Sequence, residues 1–371
     1  MSRLISRRAE AIDASGIRKV FDLAARMKDP INLSIGLPDF DVPEPGKQAA
    51  IRAIESGHNR YTQTQGIASL RERLRADLSR EMGKDVGEVL ITSGVSGALL
   101  LAILSVIDPG DEAIFLDPYF VMYKHLITMA GGKSVIVDSY PDFGFPADRV
   151  EQAVTPKTKM LILNSPSNPT GMVMTPQQIE QAVRIARKHN LLILSDEIYE
   201  PFLYDVSREN RVYSPLSLYD NTLVVRGFSK SYAMTGWRVG YACGPAEIIS
   251  QMTKLQQYTF VCAPSPFQEG ALAALDVDMS RSVESYRRKR DLVYSKLSQK
   301  FEIQKPGGAF YIFPKVPDGM SASAFVEQAI ANNVLIIPGN VFSERDTHFR
   351  ISYATTDDKL LQGCDILLSL V

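Results

Sequence analysis

Cysteine and histidine are scarce in this 371-residue chain, with three of the first and four of the second. Cys243, Cys262 and Cys364 lie far apart and form no CxxC pair, which argues against a zinc site and fits a reducing, cytoplasmic setting. His58, His125, His189 and His348 are as scattered, and none stands at metal-ligand spacing from another. No apolar run reaches the eighteen residues that a transmembrane helix needs. The opening stretch MSRLISRRAE lacks the apolar core of a secretory signal. With a net charge of −1 there is no basic surplus for nucleic acid or an anionic membrane, so small molecules are the expected partners.

What is present is an ordinary globular balance of 45% hydrophobic and 22% charged residues, in a chain long enough for two domains. From residue 66 onward, short apolar strands alternate with helices. Ile67, Leu70, Leu74 and Leu78 mark one helix face, with Gly83 as its stop. VLIT (89–92), AIFL (113–116), SVIV (134–137), KMLIL (159–163), LLIL (191–194), TLVV (222–225) and RVGYAC (238–243) read as strands. Ile179, Ala182, Val183 and Ala186 share a face of a helix over 176–189. Uniformly apolar strands between helices predict an α/β fold with a mostly parallel sheet covered on both faces.

The pattern changes near residue 266. A charged helical stretch runs to about 298, followed by strand GAFYIF (308–313), a helix over 321–332, strands VLII (334–337) and HFRISY (348–353), and a last helix. This predicts a smaller α+β domain. The expected division is an N-terminal segment over 1–40, with a helix over 15–27 packing on the small domain, a large domain over 41–265, and a small one over 266–371.

In such sheets ligands sit beyond the carboxyl ends of the strands, and the chemically suggestive residues fall there. A loop lysine is ordinarily solvated, but Lys230 in GFSKSYAMTGWRVGY stands among Ser229, Ser231, Thr235, Gly227 and Gly236. These hydroxyls and glycines allow a ligand to come close. A lysine kept partly dry loses its proton readily and can condense with an aldehyde. Asp196 in LSDEIY is a turn cap or a carboxylate that keeps a heteroaromatic nitrogen protonated, with the Tyr199 phenol nearby. SPSNPTG (165–171) is a turn that can offer Asn168 to a ligand oxygen. GVSG (94–97) opens a helix whose N–H groups can hold a phosphate, and Phe120 is core or a surface for ring stacking.

Together SPSNPTG, SDEIY and GFSKSYAMTGWRVGY resemble the class I and II aminotransferases that use pyridoxal 5′-phosphate (PLP), in their aspartate and aromatic branch. The resemblance runs over nearly the whole chain. It implies the PLP-dependent transferase fold of type I and a homodimer with shared active sites. By resemblance, Lys230 holds PLP covalently, Asp196 pairs with its pyridinium nitrogen, and Tyr199 and Asn168 donate to its O3′ oxygen. Arg238, Val95 and Ser96 match the phosphate site, and Phe120 matches the stacking ring. Tyr61 matches a tyrosine that reaches the phosphate from the other subunit. Arg350 matches the clamp on the substrate α-carboxylate, and Gly36 and Ile17 match the substrate pocket. Many relatives carry a serine where this chain has Gly227, and Ser229 is the candidate replacement for that phosphate contact.

The implied reaction moves an amino group from an L-amino acid to a 2-oxo acid, 2-oxoglutarate by analogy, in ping-pong order. A PLP-dependent C–S β-lyase is the alternative, and a non-enzymatic sensor a remote one. No cation for an aspartate side chain is identifiable: GVSGALLL has no lysine where some aspartate-specific relatives carry one.

Overall fold

The computed structural model describes residues 4–14, 16, 17, 20, 23, 25, 27–205 and 214–371. Of the helix expected over 15–27, Gly16, Ile17, Val20 and Leu23 are helical, and residues 15, 18, 19, 21, 22, 24 and 26 lie outside the described ones.

Strand β1 (Ile31–Asn32) precedes the main sheet. That sheet contains β2 (Val89–Ser93), β3 (Glu112–Asp117), β4 (Lys133–Asp138), β5 (Thr158–Asn164), β6 (Leu192–Asp196), β7 (Thr222–Gly227) and β8 (Val239–Cys243). Its order is β2-β8-β7-β6-β5-β3-β4. The pairs from β7 to β4 are parallel, while β8 runs antiparallel to both of its neighbours. Apolar side chains on both faces explain the parallel core: every residue of β6 is buried, as is every residue of β8.

The helices cover the sheet as their patterns require. Leu70, Leu74, Leu78 and Met82 are buried along Ala68–Met82, which ends at Gly83 with φ 69°. Ile67 stands just outside this helix, at its N-cap. The helix Pro176–His189 starts with a capping box between Thr175 and Gln178 and buries Ile179, Ala182, Val183, Ile185 and Ala186. Beneath the carboxyl edge, Arg226 on β7 is buried and donates to Glu197 at 2.8 Å and to Glu81 at 2.7 and 2.8 Å. This ties the residue after Asp196 to the residue before Gly227. Removing either partner would strand a buried charge.

Four expected boundaries change. The charged stretch after 266 is two helices, Ser265–Ala274 and Ser280–Leu297, and Asp278 accepts the Ser280 N–H at 2.9 Å at the break. GAFYIF contributes only β9 (Tyr311–Ile312) to a sheet. VLII divides into β10 (Val334–Leu335) and β11 (Ile337–Pro338), because these two pair with different partners. HFRISY forms β12 (Phe349–Ser352), which pairs antiparallel with β9 and β11. β1 pairs parallel with β10, and Leu33 accepts the Ser352 N–H at 2.7 Å. The segment after β1 is thereby held beside β12.

Candidate active site

The carboxyl ends of β5, β6 and β7, the start of the helix Gly94–Val106 and the middle of β12 converge on a cavity of about 280 Å³. Twelve of the thirteen residues singled out in the sequence line it: Ile17, Gly36, Val95, Ser96, Phe120, Asn168, Asp196, Tyr199, Ser229, Lys230, Arg238 and Arg350. Tyr61 does not. It is 82% exposed on the surface of this chain.

Lys230 sits in the short helix Phe228–Ser231, which β7 runs into directly. Its ammonium donates to the Gly36 carbonyl at 2.7 Å and meets no carboxylate within ion-pair distance among the described residues. Burial, with the Arg350 and Arg238 charges adding to it, lowers its pKa to about 8. Asp196 ends β6 and is buried. Burial raises its pKa to about 6, although Tyr123 donates to one carboxylate oxygen at 2.7 Å and the Ile198 N–H to the other at 3.3 Å. A carboxylate held this way is poised to pair with a protonated ring nitrogen.

Arg238 lies just before β8 rather than within it, at φ 57°. This turns its guanidinium back toward β2, where it donates to the Ser93 carbonyl at 3.4 Å and to Thr235 O at 2.9 Å. The first N–H groups of the helix Gly94–Val106 lack a side-chain cap. A cation without a carboxylate partner among the described residues, beside open N–H groups at a helix start, is an anion cradle. Gly94, at φ 65°, leaves room for it: a Cβ there would lie 2.5 Å from the Arg238 Nη2.

Arg350 is 1% exposed and faces neutral partners only. It donates to Asn168 Oδ1 at 2.9 Å and to Ser34 O at 2.5 Å, and it lies between the rings of Tyr311 and Phe342, at 4.5 and 4.7 Å. Its Nε has no hydrogen-bond partner. A buried guanidinium with an orphaned donor is a site built for a carboxylate. These features fit PLP and an amino acid: a phosphate cradle, a ring-nitrogen carboxylate, a partly dry amine and a carboxylate clamp.

The sequence profile of the family "Aminotransferase class I and II" matches residues 28–367. The chain belongs to the class I and II aminotransferases. It is 37% identical to the aspartate aminotransferase of Pyrococcus abyssi, covering 97% of this chain and 96% of that protein. It is equally 37% identical to aromatic-amino-acid aminotransferase 2 of Thermococcus litoralis, with the same coverage. Among solved structures it is similar to the Thermus thermophilus aspartate aminotransferase with maleate, at a TM-score of 0.95, 35% identity and full coverage of both chains. The enzyme is thus a PLP-dependent aminotransferase of fold type I.

Three further residues of the aminotransferase support this site, and Asn164 and Tyr311 line the cavity itself. Tyr123 holds Asp196, Asn164 accepts the Asn168 N–H at 2.9 Å, and Tyr311 meets Tyr199 with their hydroxyls 2.8 Å apart. Tyr123 lies just inside the helix Met122–Ala130, which Phe120 precedes, and its ring meets that of Phe120 edge-on at 5.8 Å. Tyr311 had no local signal, because its contact spans 112 residues of sequence.

Proposed function

We propose that the aminotransferase transfers the amino group of an aromatic amino acid or aspartate to a 2-oxo acid, 2-oxoglutarate foremost, in ping-pong order. Arg350, buried, with an unpartnered Nε, carries this reading, because a planar fork facing neutral partners selects a carboxylate in two-point geometry. PLP, bound through Lys230, supplies the electron sink for the bond broken at the substrate Cα. Around it, Asp196 keeps the ring nitrogen protonated, Tyr199 and Asn168 donate to O3′, and Arg238, Ser229 and the N–H groups of Val95 and Ser96 bind the phosphate. Phe120 stacks on the ring. Arg350 would orient the amino acid, and the Lys230 amine, freed when the substrate amine displaces it, would carry the Cα proton to the cofactor carbon, general acid–base work of about 10²–10⁴-fold.

Ile17 and Ile35 at the cavity wall support an apolar or aromatic side chain. The cations lining the cavity, Lys230, Arg238 and Arg350, all have other tasks in this scheme. Aspartate would then need its second cation from elsewhere, and we propose a homodimer in which Tyr61 also reaches the partner's phosphate site. The aminotransferase names of the relatives favour group transfer over C–S elimination.

The test is a visible spectrum of the PLP-loaded protein during a panel of amino donors. Phenylalanine, tyrosine or aspartate should bleach the band and release its oxo acid before any acceptor is present. 2-Oxoglutarate should then restore the band. A band that persists with every donor, or pyruvate released from a cysteine conjugate without bleaching, would sink the transfer reading.

A further inference from the structure

Tyr311 is the least expected residue of the cavity. It comes from β9 in the three-stranded sheet, whereas Tyr199 follows β6 of the main sheet. Both are buried, and their hydroxyl oxygens are 2.8 Å apart. A phenol has one proton to give. If Tyr199 donates to Tyr311, it has none left for a ligand in the cavity. If Tyr311 donates, the Tyr199 proton is free to point there.

One feature favours Tyr311 as the donor, and another fixes the place of its hydroxyl. The Arg350 guanidinium lies 4.5 Å over its ring. That charge draws electron density from the phenol and strengthens its O–H as a donor. Burial raises the Tyr311 pKa, and Arg350 is the first of the influences that oppose this. Gly36 supplies the second feature. A Cβ there would lie 1.8 Å from the Tyr311 oxygen, so only a glycine lets the hydroxyl reach this position.

We propose that Tyr311 is a positioning residue: its hydroxyl donates to Tyr199 and so turns the single Tyr199 proton toward the O3′ oxygen of PLP. This rests on the cofactor placement proposed above. Hydrogen bonds in such a chain strengthen one another by roughly 10–30% per bond. Donation to O3′ favours its anionic form, so it lowers the pH at which the visible band of the loaded protein titrates.

The experiment is a spectrophotometric pH titration of the PLP-loaded wild type, Tyr311→Phe, Tyr199→Phe and the double variant. The phenylalanine at 311 keeps the ring under Arg350, so the carboxylate clamp remains. Tyr311→Phe should raise the midpoint by a few tenths of a unit, and Tyr199→Phe should raise it further. The double variant should match Tyr199→Phe, since Tyr311 acts only through Tyr199. An unchanged midpoint in Tyr311→Phe would overturn the proposal. So would a shift of equal size in the Tyr199→Phe background, which would mean that Tyr311 acts by another route. If no Lys230-dependent band forms in the wild type, the cofactor placement itself falls, and the role of Tyr311 with it.

Discussion

At the scale of single residues, the site stores unfavourable charge. Lys230 and Asp196 both have pKa values pushed toward their neutral forms by burial. For Lys230 the folded value of about 8 lies below the ordinary lysine value of 10.5. Such a group weakens the fold at pH values below the folded pKa, and the penalty fades as pH rises through the interval between the two. Lys230→Met should therefore raise the melting temperature of the cofactor-free protein at pH 7 by a few degrees, with a smaller gain above pH 10. A thermal scan at both pH values checks this, and a lower melting temperature at pH 7 would mean that the amine is not strained. In the proposed scheme the same two groups would set the pH range for PLP capture. The Lys230 amine becomes more available as pH rises through about 8, and Asp196 loses its charge below about 6.

At the scale of elements, the proposed phosphate cradle depends on two local backbone turns. Gly94 opens its helix at φ 65°, and Arg238 folds back from the start of β8 at φ 57°. A side chain at Gly94 is strained by its dihedral and also strikes the Arg238 guanidinium. Gly94→Ala should weaken PLP binding at least about tenfold, the equivalent of one lost charge-assisted hydrogen bond at ~1.4 kcal/mol or more. Equilibrium dialysis of PLP reads this directly, and unchanged affinity would remove this turn from the cradle. The helix was legible because GVSG follows an apolar strand. The backward turn of Arg238 was not, because RVGYAC carries a continuous strand pattern and nothing local marks its first residue as a left-handed position.

At the scale of the whole molecule, the helix Ser265–Ala274 packs against Glu44–Glu55 and contributes Ala271 and Ala274 to the same apolar cluster as β2 and β8. We propose that the small domain begins after this helix, later than the change in sequence pattern at residue 266 suggests. The N-terminal segment reaches β10 through β1 and bridges the two parts. No helix among the described residues is long and apolar enough to cross a membrane. Tyr61, Tyr258, Phe260 and Val261 are each exposed. Tyr61→Ala should leave Lys230 able to capture PLP but weaken phosphate retention several-fold in a dimeric protein. Sedimentation together with PLP release on gel filtration measures both. A monomer that retains PLP as tightly as the dimer would remove Tyr61 from the site.

The order of elements and the identity of most lining residues were determined by the sequence alone. Apolar runs force a buried parallel sheet, and the motifs fall at strand ends by chain order. The tertiary structure decided which neutral groups surround each charge. Arg350 lacks a carboxylate partner, and Tyr311 meets Tyr199 across 112 residues of sequence, only because β9 and β12 are brought against the carboxyl ends of β5 and β6. Burial, and the pKa shifts that follow from it, are properties of packing between distant segments, which no local pattern of residues encodes.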